Sequence, residues 1–262
     1  MKKISLITGL ASVFLCLLFM GLRDIGRYPE KIWLHRCNSL EKLYEKQSRY
    51  PNVEVDLVFR KDRVFDVTHD VDTSFNLSLG SYFSYMKDHE GKMWLDIKNL
   101  TAGNKHVALE RMNEMTEYFQ IAKDRLIIEG KDWKALEAFT QDGYYTSYYV
   151  TYDEPDDLIG DHIPRRKRTM SEKIKVLLSE EEVDDCIEEL QEIADKEVVS
   201  ALSFPGYWYT EIKEGLNRSI DLLTWKHRSS QLQFLLSSVG REMLADPQLK
   251  VVLVKEKGRF HR

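Results

Sequence analysis

The sequence of 262 residues has little of what marks several specialised classes of protein. It has no internal repeat and no low-complexity tract, and a formal net charge of −5 gives no overall signature of nucleic-acid binding. Cysteine is scarce: Cys16 lies in an apolar segment, and nothing forces the distant Cys37 and Cys186 to pair. We therefore expect two free, partly buried thiols and no nucleic-acid partner.

Hydrophobic residues are plentiful by contrast. They make up 43% of the chain, and aromatic residues alone make up 11%. Such a chain can bury a sizeable core, which excludes wholesale disorder. Its length suits one large domain or two small ones.

An uncharged stretch at residues 4–22 follows Lys2 and Lys3. As a helix it would extend about 28 Å, which is close to the thickness of the hydrocarbon layer of a membrane. The two lysines should stay in the cytoplasm, which sends the rest of the chain outward. Because no Ala-x-Ala cleavage site is present, an uncleaved signal anchor over residues 1–22 is favoured over a cleaved signal peptide or a buried soluble helix. We expect an exported, membrane-anchored protein, or a secreted one if the segment is cleaved.

Strand and helix patterns alternate after a short linker at residues 23–30. The principal predicted strands cover residues 31–36, 53–59, 93–98, 125–129, 144–152, 198–204, 219–225 and 250–255, and a second extended run covers residues 63–67. Repeated βα units imply parallel strands with helical crossovers. Eight units in about 240 residues match the size of a (β/α)8 TIM barrel over residues 31–262. A doubly wound open sheet is the alternative.

Ionisable side chains collect near the C-terminal ends of the first three principal strands. They are His35, Glu54, Asp56, Asp96 and Lys98. Alternate residues of a strand share a face, and the active site of such a barrel lies where its strands end, so we expect these groups to converge. Three carboxylates offer the oxygen ligands that Mg²⁺ or Ca²⁺ prefers. That assignment leaves His35 and the later His69 free for proton transfer.

The order of these residues resembles the glycerophosphodiester phosphodiesterase family, within the PLC-like phosphodiesterase superfamily of TIM barrels. The motifs that carry the resemblance are His35-Arg36, Glu54-x-Asp56, His69-Asp70 and Asp96-x-Lys98. The resemblance covers residues 31–100 well, and the rest of the chain only by architecture. It implies a metal-dependent phosphodiesterase that acts on a small-molecule phosphodiester or a lipid headgroup.

The resemblance also implies a role for each matching position. The three acids Glu54, Asp56 and Asp96 would bind one divalent cation. The pair His35 and His69 would act as general acid and base. The implied phosphate-binding residues are Arg36 and Lys98.

Three features depart from the typical family pattern and resemble the sphingomyelinase D branch. Asn38 follows His35 at the third position, a spacing also found in animal proteins of the menorin type. The third acid is Asp96 rather than Glu, and only about a dozen residues separate Asp56 from His69. These features leave two reactions open, which are hydrolysis and attack by a substrate hydroxyl that gives a cyclic phosphate.

Alternative interpretations concern the function, three further residues and one basic run. The alternative to an enzyme is a catalytically silent barrel that binds a phosphorylated lipid or glycan, although both histidines and all three acids are present. Glu129 is a fourth ligand, a partner for Lys98, or an ordinary salt-bridge residue. Trp225 and His227 contact substrate or pack in the core. The basic run at residues 165–168 is a solvated loop, or it draws the mouth towards phospholipid headgroups or another polyanion.

Overall fold

The strands form where the sequence has short apolar runs bounded by turns. The computed structural model describes residues 30–150, 180–225 and 238–256. Its strands are β1 (Ile32–Leu34), β2 (Val53–Phe59), β3 (Phe65–Val67), β4 (Met93–Ile97), β5 (Leu126–Gly130), β6 (Tyr145–Tyr149), β7 (Ala201–Pro205), β8 (Asp221–Trp225) and β9 (Leu249–Val254). Its α-helices are α1 (Leu40–Lys46), α2 (Leu79–Met86), α3 (Lys105–Phe119), α4 (Trp133–Gln141), α5 (Glu180–Asp195), α6 (Tyr209–Gly215) and α7 (Ser238–Ala245). Short 3₁₀ helices cover Lys123–Arg125 and Gly206–Trp208.

Eight of these strands are parallel and close into a barrel. The order of neighbours is β1-β9-β8-β7-β6-β5-β4-β2, and β1 also pairs with β2 through Leu34 and Val53. That last pairing joins the two ends of the sheet, so the architecture is the predicted TIM barrel and not an open doubly wound sheet. Helical segments link most of the successive parallel strands, as right-handed crossovers require.

The remaining strand, β3, lies outside the parallel barrel and forms a hairpin with β2. It runs antiparallel to the C-terminal half of β2, with Leu57 opposite Val67 and Phe59 opposite Phe65. It therefore covers the edge of β2 beyond the short contact with β1. Just after the hairpin, the amide of Thr68 donates to the carbonyl of Asp56 at 3.1 Å. This bond anchors the chain beside the C-terminal half of β2 immediately before His69.

Large apolar side chains fill the interior of the barrel below the mouth. The buried interior cluster consists of Trp33, Trp94, Ile127, Ala201, Leu223, Trp225, Val251 and Leu253. Trp94 and Asp96 lie on the same face of β4 because side chains alternate along a strand. On the side of β4 that faces the barrel interior, the side chain at Trp94 is therefore apolar and the side chain at Asp96, nearer the C-terminal end of the strand, is acidic.

Helix α1 buries a lysine and leaves an aromatic residue exposed. The hydroxyl of Ser39 caps the helix by accepting from the amide of Lys42 at 3.2 Å. Tyr44 is 55% exposed, whereas Lys42 is only 3% exposed. The Tyr44 ring packs on the surface against Tyr85, with ring centroids 5.2 Å apart.

Neither Cys37 nor Cys186 forms a disulfide, as expected, but both are fully buried rather than partly buried. No helix within the described ranges is long and apolar enough to cross a membrane. The predicted anchor at residues 1–22, the basic run at residues 165–168 and His227 lie outside those ranges. The division of the chain into leader, linker and barrel stays a prediction.

Candidate active site

Three acidic side chains meet inside the C-terminal end of the barrel. Glu54 and Asp56 are alternate residues of β2, and the strand register pairs Asp56 with Asp96 of β4. All three are buried, and one oxygen from each lies within 4.8 Å of the others. The structure therefore brings together the three predicted metal ligands, while their role as ligands stays a prediction.

Lys98 lies between two of these acids. Its Nζ donates to Oδ1 of Asp56 at 2.6 Å and also donates to Oδ2 of Asp96. Burial by itself would lower the pKa of Lys98, but the charges of Asp96 and Asp56 outweigh burial and raise that pKa above its usual range. The ammonium thus stays protonated at physiological pH. It leaves a positive charge at the mouth of the barrel.

Asp56 is held in one orientation from two sides. The amide nitrogen of the Asn38 side chain donates to Oδ2 of Asp56 at 2.6 Å, and the backbone amide of Asp56 donates to Oδ1 of Asn38 at 3.0 Å. Burial would raise the pKa of Asp56, but Lys98 and then Asn38 outweigh it and lower the pKa to about 2. Asp56 is therefore a fixed, ionised carboxylate.

Glu54 is the acid whose charge has least compensation. Its Oε2 accepts from the backbone amide of Arg36 at 2.5 Å, whereas Oε1 is buried without a hydrogen-bond partner among the described residues. Burial, followed by the charge of Asp56, raises the pKa of Glu54 well above its usual range. A buried carboxylate oxygen without a donor is costly unless a cation or a proton lies beside it.

These observations fit a divalent cation at the acidic cluster. Hard cations such as Mg²⁺ and Ca²⁺ take carboxylate oxygens, and one oxygen of Glu54 is available for such a contact. A cation there would also offset the repulsion between Glu54 and the ionised Asp56. The residues that could hold it are Glu54, Asp56 and Asp96.

His35 follows β1 and lies beside the acidic cluster. Its Nε2 is 3.7 Å from Oε2 of Glu54, and its Nδ1 is buried without a hydrogen-bond partner in the described part of the chain. Burial, followed by the charge of Lys255, lowers the pKa of His35 well below its usual range. The imidazole is therefore neutral at physiological pH and can accept a proton.

His69 contacts Arg36 and is more exposed than His35. Its Nε2 is 2.9 Å from Nη2 of Arg36, and its Nδ1 is 2.7 Å from Oδ1 of Asp70. Since a guanidinium group can only donate, Nε2 accepts, and the proton lies on Nδ1 and points to Asp70. Both predicted histidines thus lie next to residues that contact the carboxylates.

The predicted phosphate-binding residues also lie at the mouth. Nε of Arg36 is 3.8 Å from Oδ2 of Asp56, and Lys98 contacts the same carboxylate. Two positive charges therefore border the acidic cluster. Their placement is compatible with contact to an anionic substrate, and that role stays a prediction.

Glu129 of β5 belongs to the barrel interior rather than to the group of three acids. It lies opposite Asp96 in the register and accepts a hydrogen bond from the hydroxyl of Ser203 on β7. Among the described residues it forms no ion pair with Lys98. Burial, followed by the charge of Asp96, raises its pKa well above the usual range. Nothing in the local sequence signals Ser203 as its partner, because 74 residues separate them.

Trp225, at the end of β8, is buried in the interior cluster. Its ring stacks on that of Tyr149 with centroids 4.8 Å apart, and Nζ of Lys131 lies 4.7 Å from the centroid of the Tyr149 ring. Trp225 therefore packs in the core, as one of the two readings of the sequence expects.

Sequence reasoning missed Lys42, which lies directly behind this site. Its Nζ donates to the backbone carbonyl oxygens of His35 and Arg36. A lysine in a short helix carries no local signal of burial, because long charged side chains usually lie on the solvent side. Its partners become visible only once the chain has folded.

Comparison by sequence finds nothing similar: no family model matches the chain, and no curated protein matches it significantly. Comparison of structures is informative. A glycerophosphodiester phosphodiesterase from Parabacteroides distasonis matches with a TM-score of 0.52 at 14% identity, over 86% of this chain and 92% of that one. A phosphodiesterase from Oleispira antarctica, solved in complex with the product sn-glycerol-3-phosphate, matches with a TM-score of 0.52 at 13% identity and the same two coverages.

The chain therefore is a (β/α)8 barrel. More narrowly, it shares the fold of glycerophosphodiester phosphodiesterases, which confirms, at the level of the fold alone, the resemblance indicated by four short motifs. The further resemblance to the sphingomyelinase D branch stays a prediction.

Proposed function

We propose that the protein is a metal-dependent phosphodiesterase that cleaves a glycerophosphodiester or a phospholipid-type phosphodiester at the C-terminal mouth of the barrel. The observation that carries the proposal is the buried cluster of Glu54, Asp56 and Asp96, in which one Glu54 oxygen has no partner. His35 lies beside Glu54, and His69 contacts Arg36. Similarity in fold to a phosphodiesterase with bound sn-glycerol-3-phosphate supports the substrate class.

The cluster of three acids would hold one divalent cation, Mg²⁺ or Ca²⁺. When bound, such a cation neutralises phosphate charge and favours displacement at phosphorus. Arg36 and Lys98 would add positive charge on the protein side. A phosphodiester anion repels an incoming nucleophile, so this concentration of positive charge would lower the barrier to attack.

The two histidines would move the protons. One takes the proton from the attacking oxygen as the new P–O bond forms, and the other gives a proton to the alkoxide as the old P–O bond breaks. Because Asp70 accepts from Nδ1 of His69, that ring is held in a single tautomer. The attacking oxygen belongs to water in hydrolysis, or to a hydroxyl of the substrate in the reaction that gives a cyclic phosphate.

Phosphorus NMR tests the proposal directly. A panel of glycerophosphodiesters and lysophospholipids is incubated with the protein and Mg²⁺ or Ca²⁺, and a phosphomonoester or cyclic phosphate signal should appear. The signal should be lost in EDTA and in the variant His35→Ala. Turnover that survives both changes would refute the mechanism, and retained cation binding without any turnover would favour the catalytically silent, phosphate-binding barrel.

We also infer from residues 1–22 that the barrel is exported and tethered to the membrane, or secreted if the segment is cleaved. An alkaline carbonate wash separates these alternatives, because only a spanning helix keeps the protein in the membrane pellet. Protease added to intact cells or spheroplasts should then degrade the barrel. A full-length protein found in the soluble cell fraction would contradict both.

A further inference from the structure

The buried lysine behind the site makes contacts that none of the proposed roles uses. Lys42 is 3% exposed, and its Nζ donates to the carbonyl oxygens of His35 at 2.9 Å and of Arg36 at 2.7 Å. Within the described residues no carboxylate lies at ion-pair distance from Nζ. Buried lysines normally have a charged partner, so a lysine bound to two successive carbonyls at the site calls for an explanation.

The peptide unit between His35 and Arg36 has Lys42 on one side and Glu54 on the other. In a trans peptide the carbonyl oxygen and the amide hydrogen point in opposite directions. The oxygen of this unit accepts from Lys42, and its N–H donates to Oε2 of Glu54 at 2.5 Å. A bond that fixes the oxygen therefore also fixes the direction of the N–H.

The backbone at Arg36 needs such support. Its φ angle is +51°, in the left-handed region that residues with a side chain rarely adopt. Lys42 binds the carbonyl on each side of this strained position and holds the turn closed. The same turn presents the guanidinium of Arg36 to Nε2 of His69 at 2.9 Å.

We propose that Lys42 is a positioning residue for the cation site and for the two histidines. It locks the peptide that ties down Oε2 of Glu54, so that Oε1 is the oxygen available to the cation. It also holds the Arg36 turn that links His35 to His69. This inference rests on the proposed function, and it goes further by assigning a task to a residue outside the four motifs.

The test is Lys42→Met, which keeps the apolar stem and removes the donors. Groups that orient a metal ligand typically change metal affinity about 10- to 100-fold when they are mutated. We expect Ca²⁺ or Mg²⁺ binding, measured by calorimetry without substrate, to weaken by that factor. We also expect kcat to fall more than KM changes, because substrate contacts remain while the reacting groups lose their alignment.

Two matched variants separate positioning from simple stability. Lys46→Met makes the same change on the same helix, where Lys46 pairs only with its neighbour Glu45 at 2.8 Å. Tyr82→Phe removes a different buried bond to the same loop, from the Tyr82 hydroxyl to the carbonyl of Cys37 at 2.7 Å. Cation affinity should be unchanged in both. Equal cation affinity in Lys42→Met and Lys46→Met would overturn the proposal.

Chemical rescue gives a second measurement. Lys42→Ala lacks three carbons and one nitrogen, the same heavy atoms that n-propylamine contains. Added n-propylamine should therefore recover part of the lost cation affinity, whereas the bulkier tert-butylamine should not. Equal effects of the two amines would contradict a specific role for the Lys42 nitrogen. If Lys42→Met does not fold, Lys42→Gln is compared with Lys46→Gln by the same criteria. Absence of both cation binding and turnover in the unmodified protein would instead overturn the proposed function itself.

Discussion

The two ends of the barrel both contain charged residues, but they differ in how their carboxylates are paired. At the N-terminal end lies a cavity of about 1070 Å³ with a charged rim. There Asp221 accepts from the Tyr145 hydroxyl at 2.8 Å, and Arg125 donates to backbone carbonyls such as that of Gly91 at 2.9 Å. At the C-terminal end, Oε1 of Glu54 and Nδ1 of His35 are buried without a hydrogen-bond partner among the described residues.

Native proteins satisfy almost all buried polar groups. An unpartnered carboxylate oxygen within a cluster of three acids is therefore a place where a cation could bind. At the N-terminal end, charged groups such as Asp221 and Arg125 form hydrogen bonds within the fold. At the C-terminal end, the buried Oε1 of Glu54 has no donor among the described residues.

The largest expected effect is a fall in kcat, and it should be confined to variants at the C-terminal end of the barrel. His35→Ala and His69→Ala should each lower kcat by about 10²- to 10⁴-fold, the usual contribution of a general acid or base. His89→Ala serves as the control, because His89 stacks on Tyr85 near the opposite end, with ring centroids 3.9 Å apart. Steady-state assays on the substrate identified by phosphorus NMR provide the measurement. A similar loss in His89→Ala would remove the distinction between the two ends.

The second prediction concerns stability without a cation. Burial and the charge of Asp56 raise the pKa of Glu54 and make its ionised form costly in the folded state. Glu54→Gln should therefore raise the free energy of unfolding in EDTA by about 1–2 kcal/mol, as is common for polar residues kept for function. Urea unfolding measures this. The gain should disappear with saturating Ca²⁺ or Mg²⁺, which stabilises only the unmodified protein. A loss of stability in EDTA would contradict the prediction.

The opposite sign is expected at the N-terminal end. Asp246, just before β9, accepts from the Tyr209 hydroxyl, from Nζ of Lys213 and from the amide of Gln248, each at 2.9 Å. Asp246→Asn should lower the free energy of unfolding by about 1.5–3 kcal/mol at pH 7, the usual value for hydrogen bonds to a charged group. Catalytic activity should not change.

The pH dependence of the Asp246 effect follows from its pKa. Burial would raise that pKa, but Lys213, Gln248 and Tyr209 outweigh burial and lower it. The stabilisation is therefore fully present above the pKa of an unfolded aspartate, about 3.9. It is lost as the pH falls through the lower pKa of the folded state. Unfolding curves of Asp246→Asn and the unmodified protein should converge in acid, and a constant difference would contradict this account.

The smallest effect is expected for Tyr145→Phe, at the rim of the N-terminal cavity. The change removes the bond to Asp221, which is partly exposed and has Lys250 as another partner at 3.4 Å. A net cost of about 0.5–1 kcal/mol is expected for one such hydrogen bond. Thermal unfolding measures it, and kcat should be unaltered. A drop in kcat would connect the N-terminal cavity to the reaction.

Much of the barrel could be predicted from the sequence because its signals are local. The predicted strands match the eight parallel strands to within a few residues at their ends. Ser39 at the start of α1 and Asp132 at the start of α4 cap their helices through bonds to amides two or three residues away.

The candidate site was predictable to a similar depth. The motifs identified the three acids, the two histidines and the basic residues Arg36 and Lys98. The structure brings these seven residues to one end of the barrel, while their roles stay predictions. The chemical state of Glu54 was not predictable, because it depends on burial and on the charge of Asp56. Neither was the Asn38–Asp56 pair, because 18 residues separate the two in the sequence.

The sequence by itself determined that Glu54 and Asp56 share a face, because side chains alternate along any strand whatever surrounds it. It likewise determined where the strands and helices begin, since turns and caps depend on covalent geometry over a few residues. Only the tertiary structure decided which oxygen of Glu54 lacks a partner, why Arg36 adopts a positive φ, and that Lys42 lies behind both. The state of Glu54 depends on a hydrogen bond from the loop after β1, which meets β2 only when the barrel closes. No local sequence pattern predicts such a contact.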